Sequence, residues 1–386
     1  MQKDFHYYAT YFASRIAGYT HDESMEICHS AQLVDCCSRS FLAGLEAPAA
    51  AATTQVSMEL ADARTDLPGL QDITRIWASF HFLPYDLQAE VKNATRLYRN
   101  KYRMICRPNG VLVADTVRLA KGRGTEAAGI AMHVLADTWA HSYFAGTPSL
   151  VINNTNYFFY ELLSDPKEER QVRFRHNPLQ ADDPEKGIYT NSMYQGSESA
   201  IMNLGHGRAG HLPDYSFIRY KYMPAWGDYE VIIKDNPAEY YMAFCQMVYA
   251  LKVLREETGS FSLNTYAFED VKPFEAVIHR LLEKRQLNAE EDWKALTCRC
   301  FGTEIADFDE KKYQGEYISA GKAEKDDTFL GRFILAALAQ KSMVTAKIFQ
   351  SGNLLAGKSV NYAEKGFRGI RDYQKLINRA NKEDEL

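Results

Sequence analysis

Nine consecutive residues, His133-Val134-Leu135-Ala136-Asp137-Thr138-Trp139-Ala140-His141, set two imidazoles and a carboxylate at intervals of four among alanine and large apolar side chains. At about 100° per residue, each step of four advances about 40° around a helix. The three polar groups therefore share a sector of about 80° and stack over about 12 Å. A carboxylate buried on such a face needs a partner. Imidazole and carboxylate one turn apart can share a divalent metal, and three such groups over two turns can hold two ions bridged by the middle carboxylate. The alternative is a core network in which one or both histidines hydrogen-bond to Asp137. Either arrangement needs a large helical core around it.

The chain supplies one. It has 386 residues, 46% of them hydrophobic and 12% aromatic, and 45 Lys plus Arg against 50 Asp plus Glu give a net charge of −5. This excludes a disordered chain, a collagen-like repeat and a small disulfide scaffold, and it disfavours a nucleic-acid binder that works through a broad basic face. Helical pattern is expected over 5–17, over 21–42 (with Thr20 and Glu23 as a capping box), 49–61, 70–82 and 86–105, and from Glu126 to Tyr143. It returns over 237–257, 271–285, 289–300, with Asn288 and Glu291 as a second capping box, 326–350 and a basic helix over about 361–380. Between 148 and 237 the periodicity fades and seven of the twelve prolines fall. That stretch is expected to be a long irregular insertion, helical only over 192–203, and long loops in compact proteins are usually functional. No alternation long enough for a sheet is present, nor a GxGxxG or Walker loop. The fold class expected is all-α. Residues 1–260, with the insertion, form a helical metal-binding core, and 261–386 a helical extension packed on it.

Further ligand-type residues are scattered along the chain. His6 sits in the first turn of the N-terminal helix, Asp35 among apolar and thiol neighbours in the 21–42 helix, and His81 in the aromatic Phe80-His81-Phe82-Leu83-Pro84 at a helix end. The run Gly205-His206-Gly207-Arg208-Ala209-Gly210-His211-Leu212-Pro213-Asp214 gathers three glycines, two histidines, an arginine and an aspartate. Glycine permits close backbone approach, so His206, His211 and Asp214 can converge on a metal or phosphate, with Arg208 clamping phosphate oxygens. The adjacent His21-Asp22 pair is better explained by the start of a helix. His176 and His279 read as surface residues.

Together these segments resemble the zinc-dependent phospholipase C and single-strand nuclease superfamily. More closely, Asp4-Phe5-His6-Tyr7-Tyr8, Ala31-Gln32-Leu33-Val34-Asp35, Phe80 to Pro84, His133 to His141 and Gly205 to Asp214 resemble a bacterial family of uncharacterised cytoplasmic proteins. The resemblance covers about residues 1–260. It implies an all-helical core holding up to three zinc ions that hydrolyses phosphate esters. By position, Asp35, His81, His133 and the bridging Asp137 would form one site, and His6 would bind a second ion beside Asp137. His141, with His206 or His211, would take a third. The departures are a Met1 where the characterised enzymes use the amine of a mature N-terminal Trp, a shorter gap between the bridging Asp and the next His, and Asp214 in place of a final Glu.

The function expected is therefore metal-dependent hydrolysis of a phosphomono- or phosphodiester by activated water. Asp35 would orient or deprotonate the water, Asp137 bridge the ions and Arg208 stabilise phosphoryl charge. The cofactor expected is one to three divalent ions, zinc first, with manganese or iron as alternatives. The alternatives to this reading are a metal-binding helical protein that cleaves another bond or none, and a helical interaction module with a buried His/Asp network. The partner expected is a small phosphorylated or phosphodiester substrate, with no stable nucleic acid and no membrane span. Seven unevenly spaced cysteines and the lack of a secretory signal point to reduced thiols and a cytoplasmic location.

Overall fold

A computed structural model of the chain describes residues 1–61, 67–155, 158–163, 168–177, 179–227, 230–256 and 259–358. The basic helix expected over 361–380 lies outside the described residues. The chain opens with a π-helical segment, Asp4–Ala9, that runs into α1 (Thr10–Ile16). It continues through α2 (His21–Leu33), α3 (Arg39–Gly44), α4 (Ser57–Ala61), α5 (Leu67–Phe80), α6 (Arg96–Tyr102), α7 (Val111–Ala120) and α8 (Gly124–Ala140). After α9 (Leu150–Asn153) the described residues include six short strands: β1 (Tyr160–Leu162), β2 (Glu169–Gln171), β3 (Arg173–Arg175), β4 (Ile188–Thr190), β5 (Arg219–Tyr222) and β6 (Ile232–Asp235). The C-terminal part is helical again, with α10 (Asn236–Arg255), α11 (Phe268–Val271), α12 (Glu275–Glu283), α13 (Glu290–Phe301), α14 (Gln314–Ser319) and α15 (Phe329–Gln350). The architecture is multi-helical with minor strand elements. No helix among the described residues is long and apolar enough to cross a membrane.

α8 is the axis of the molecule. From Glu126 to Ala140 every residue is buried, with α2, α7, α10 and α15 packed around it. Its approach to α2 depends on Gly129, where a Cβ would stand 2.4 Å from the Ile27 carbonyl oxygen and 2.5 Å from Ser30 Cβ. Ser30 Oγ seals the crossing by donating to the Glu126 carbonyl at 2.6 Å. α15 lies against α5, α7 and α8 and joins the same apolar core, which runs from Met1 to Ala356.

Several sequence expectations are corrected by local chemistry. The capping box at Thr20 and Glu23 forms as expected, but α2 ends at Leu33. Ser38 then caps α3 by accepting the Phe41 N–H, so Asp35 falls in the turn between two helices instead of inside one. At α13, Asn288 accepts the Glu290 N–H at 2.8 Å, forming a local turn without the capping box. The 49–61 stretch yields only a 3-10 turn and α4, and 86–105 only α6. In the insertion, 192–203 contains no helix beyond a 3-10 turn at Ile201–Asn203. It does contain sheet, which the sequence reading did not expect. Antiparallel strands in the order β2-β1-β5-β6 form one sheet, and β3 pairs with β4 in parallel. Strands of three or four residues are too short for alternation to rise above noise.

The irregular remainder is tied down by buried polar hubs. Asn153 accepts the Ala145 N–H and donates to the carbonyls of Ala145, Thr147 and Asn203. The buried Glu161 carboxylate takes Arg170 and, from beyond α12, Arg285. Beneath the strands lies a second apolar cluster that includes Phe82, Phe144, Tyr189, Tyr220 and Tyr222.

Candidate metal centre

Among the described residues, three groups of side chains bring one potential ligand atom each to within 4.8 Å of one another: Asp35, His81 and His133; His6, His133 and Asp137; and His141, His206 and Asp214. Asp137 also reaches the first group, its Oδ2 lying 3.2 Å from His133 Nε2 and 3.3 Å from His81 Nδ1. It thus stands between groups, as the middle residue of the helical stack.

Each element delivers its ligand for a local reason. The buried core of α8 carries His133 and Asp137, while His141 caps the helix with φ −89° and ψ 14°. Tyr143, two residues on, takes a left-handed φ of 78°, held by its N–H to the Cys106 carbonyl, and turns the chain away. The ammonium of the buried Lys234 on β6 donates to the Trp139 carbonyl and Ser142 Oγ, bracketing His141, and pairs with Glu239. The loop bearing His206 depends on Gly205 and Gly210, both at positive φ. Added Cβ atoms there would stand 2.3 Å from Phe82 Cζ and 2.1 Å from the Thr190 carbonyl oxygen.

Four histidines share one feature. His81 Nε2 faces the Thr53 carbonyl at 3.0 Å, His133 Nδ1 the Ala31 carbonyl at 2.9 Å, His141 Nδ1 the His81 carbonyl at 2.7 Å, and His206 Nδ1 the Gly210 carbonyl at 2.8 Å. A carbonyl only accepts, so the nitrogen facing it carries the hydrogen. In the neutral ring the other nitrogen is then a lone pair, and in all four cases it points into the cluster. His133 Nε2 and His81 Nδ1 lie 3.3 Å apart. Facing lone pairs with carboxylates between them call for a cation or a proton. His6 sharpens the point: it is fully buried, stacked on His133 at 3.8 Å, and neither ring nitrogen makes a hydrogen bond although Nε2 is 3.1 Å from Asp137 Oδ1. An orphaned imidazole beside a carboxylate fits a metal ligand. Nitrogen and carboxylate donors without sulfur suit zinc, manganese or iron.

The residue that sequence reasoning missed as a participant is Met1. Its α-amine lies 2.8 Å from Asp137 Oδ1, 3.1 Å from His141 Nε2 and 3.3 Å from Asp214 Oδ1. A main-chain amine has no side-chain signature, and the superfamily resemblance, which places an N-terminal amine at this point, had Met1 only as a departure. Burial opposes charge on this amine, but Asp137 and Asp214 outweigh it and lift its pKa to about 10. Burial likewise works against ionised Asp137 and Asp214. The surrounding imidazoles and the amine nevertheless hold both well below the usual carboxylate range. Burial, with His133 alongside, pushes His6 down to about 4, and burial pushes His206 down to about 4.

The other expected residues are placed as follows. Asp35, with its side chain 32% exposed, forms the edge of the cluster that meets solvent, 3.8 Å from His81 Nδ1 and 3.9 Å from His133 Nε2. Of the two loop histidines, His206 joins the third group. His211 stands outside it, half exposed, with Nδ1 3.3 Å from Asp214 Oδ2. Arg208 is buried and belongs to the framework of its loop: it donates to the Ser192 carbonyl at 2.7 Å and lies over the Tyr194 ring. His21 bonds Tyr11 at the start of α2, and His279 stacks on Tyr241.

Over residues 1–348 the chain matches a family of unknown function, DUF6765, and it belongs to that family. No curated protein and no solved structure matches it.

Proposed function

We propose that this DUF6765 chain is a divalent-metal-dependent hydrolase of phosphate esters, acting on a phosphomono- or phosphodiester, as in the phospholipase C and single-strand nuclease superfamily. The observation that carries the reading is the set of four imidazoles pinned by backbone carbonyls, whose free nitrogens converge on carboxylates around Asp137. Asp35, His81, His133 and Asp137 would hold one ion. Met1, His6 and Asp137 would hold a second, and His141, His206 and Asp214 a third. Bound divalent ions supply Lewis acidity, lowering the pKa of water and polarising a phosphoryl oxygen.

The chain's own groups do the rest. Asp35, at the solvent edge, orients the attacking water and accepts its proton. Asp137 stays ionised throughout and keeps the ligand groups in register. His211 steadies the second oxygen of Asp214. Burial of His6, His81, His133, Asp137 and His141 excludes bulk water from the far side of the site.

Protein reconstituted with zinc or manganese should hydrolyse a generic phosphodiester such as bis(p-nitrophenyl) phosphate. Asp35→Asn should reduce that rate by at least about 100-fold, since even residues that only support a metal ligand cost ~10–100-fold. Stoichiometric metal with no phosphate ester cleaved would sink the hydrolase reading and leave a metal-binding protein of other activity. A second reading, a helical interaction protein whose buried network is held by protons, is favoured by one contact. The Met1 ammonium already pairs with Asp137 and Asp214. Wild-type protein that binds no metal on reconstitution and keeps its full stability would decide for that reading.

A further inference from the structure

A free chain end is ordered only where something ties it down, because fixing each residue costs about 1–2 kcal/mol of backbone entropy. Here the first residues must be ordered to place the Met1 amine and His6. The ties come from far along the chain. Asp4 Oδ2 accepts the Ala289 N–H at 3.1 Å, and Lys3 pairs with Glu290 at 3.0 Å. Tyr7 donates to the Ala306 carbonyl at 3.1 Å and Tyr8 to Asp307 Oδ1 at 2.9 Å. Lys294 on α13 braces the same point, bonded to Asp307 with its ammonium over the Tyr8 ring, and Phe308 packs edge-on against Tyr7. α13 ends at Gly302, whose φ of 63° begins the turn that leads into this stretch. The rings of Phe5, Tyr7 and Tyr8 are fully buried.

We propose that the stretch from Ala289 to Phe308 is a latch that seats the N-terminal segment, holding the Met1 amine and His6 against Asp137, with Asp4 and Tyr8 as positioning residues. It rests on the metal-centre reading for its purpose but not for its geometry. Asp4 and Ala289 fix the height of the first turn. Tyr8, two residues after His6, and Asp307 fix its rotation. The latch gives the C-terminal helices a part in the site without contributing a ligand to it.

The test uses the full chain, stripped of metal, so that its outcome does not depend on whether metal binds. A brief acetic anhydride pulse labels amines, and mass spectrometry reads Met1 and Lys234, both fully buried at the side chain. In the Asp4→Ala/Asp307→Ala double variant, Met1 labelling should rise at least about tenfold, equivalent to ~1.4 kcal/mol in the opening equilibrium, with Lys234 labelling unchanged. Asp307 is 76% exposed, so Asp307→Ala alone disturbs no core and carries the test if the double variant fails to fold. Met1 labelling at the wild-type rate, or Met1 and Lys234 rising together, would overturn the latch.

Discussion

At the scale of single residues, the centre is made of side chains that the rest of the protein leaves no other use. His133 and His81 each use one nitrogen on a backbone carbonyl, and His6 uses neither on a hydrogen bond. The helical stack His133, Asp137 and His141 was legible in the sequence because a period of four is a property of the string. The choice between His206 and His211 was not, since it depends on positive φ at Gly205 and Gly210 and on the position of Phe82. His29 makes a separate point. It is buried under Phe308, Tyr313 and Phe329 with both ring nitrogens unpaired, and burial pushes its pKa down to about 3. The folded protein therefore refuses a proton that the unfolded chain takes near pH 6.5. This contribution to stability is intact above about pH 6.5 and falls by about 1.4 kcal/mol per pH unit as the pH drops towards 3. His29→Leu should match or exceed wild type in urea midpoint at pH 7 and lose much less between pH 6.5 and pH 4.5, both measured without metal. A parallel loss in the two proteins would remove His29 from the account of acid sensitivity.

At the scale of elements, the decisive contact is α2 against α8. It brings the Ala31 carbonyl to His133 and sets the turn that carries Asp35. Gly129→Ala would force a Cβ into the Ile27 carbonyl oxygen and Ser30, at a cost of ~1–3 kcal/mol for the added volume, only partly offset by up to ~1 kcal/mol of helix propensity. We expect a lower thermal midpoint and weaker metal affinity, whereas Gly44→Ala, with open space around it, should be close to neutral in both. Equal behaviour of the two variants would show that the helix approach is not critical. The long helices α8, α10 and α15 were legible in the sequence to within a few residues, because their apolar content runs over many turns. The strands were not. β5 alternates inward and outward over only four residues, and its partners are set by the antiparallel register of Tyr160 with Lys221 and of Tyr220 with Lys234. The break between α2 and α3 was hidden because Ser38 competes as a cap inside an otherwise helical pattern.

At the scale of the molecule, the candidate ligands come from the N-terminal segment, the turn after α2, the residue after α5, the length of α8 and the loop before β5. They converge only because α10 and α15 close the core around α8 and because residues 289–308 close over the N-terminal segment. Long-range placement of this kind leaves no local trace in sequence, which is why the C-terminal helices read only as an extension. Whether the buried cluster holds metal is decided by metal stoichiometry on purified, reconstituted wild-type protein beside Asp137→Asn. We expect more than one and up to three divalent ions per wild-type chain. Asp137→Asn should keep no more than one, at His141, His206 and Asp214. A wild-type chain without stoichiometric metal, or an Asp137→Asn chain with the full wild-type content, would contradict that expectation.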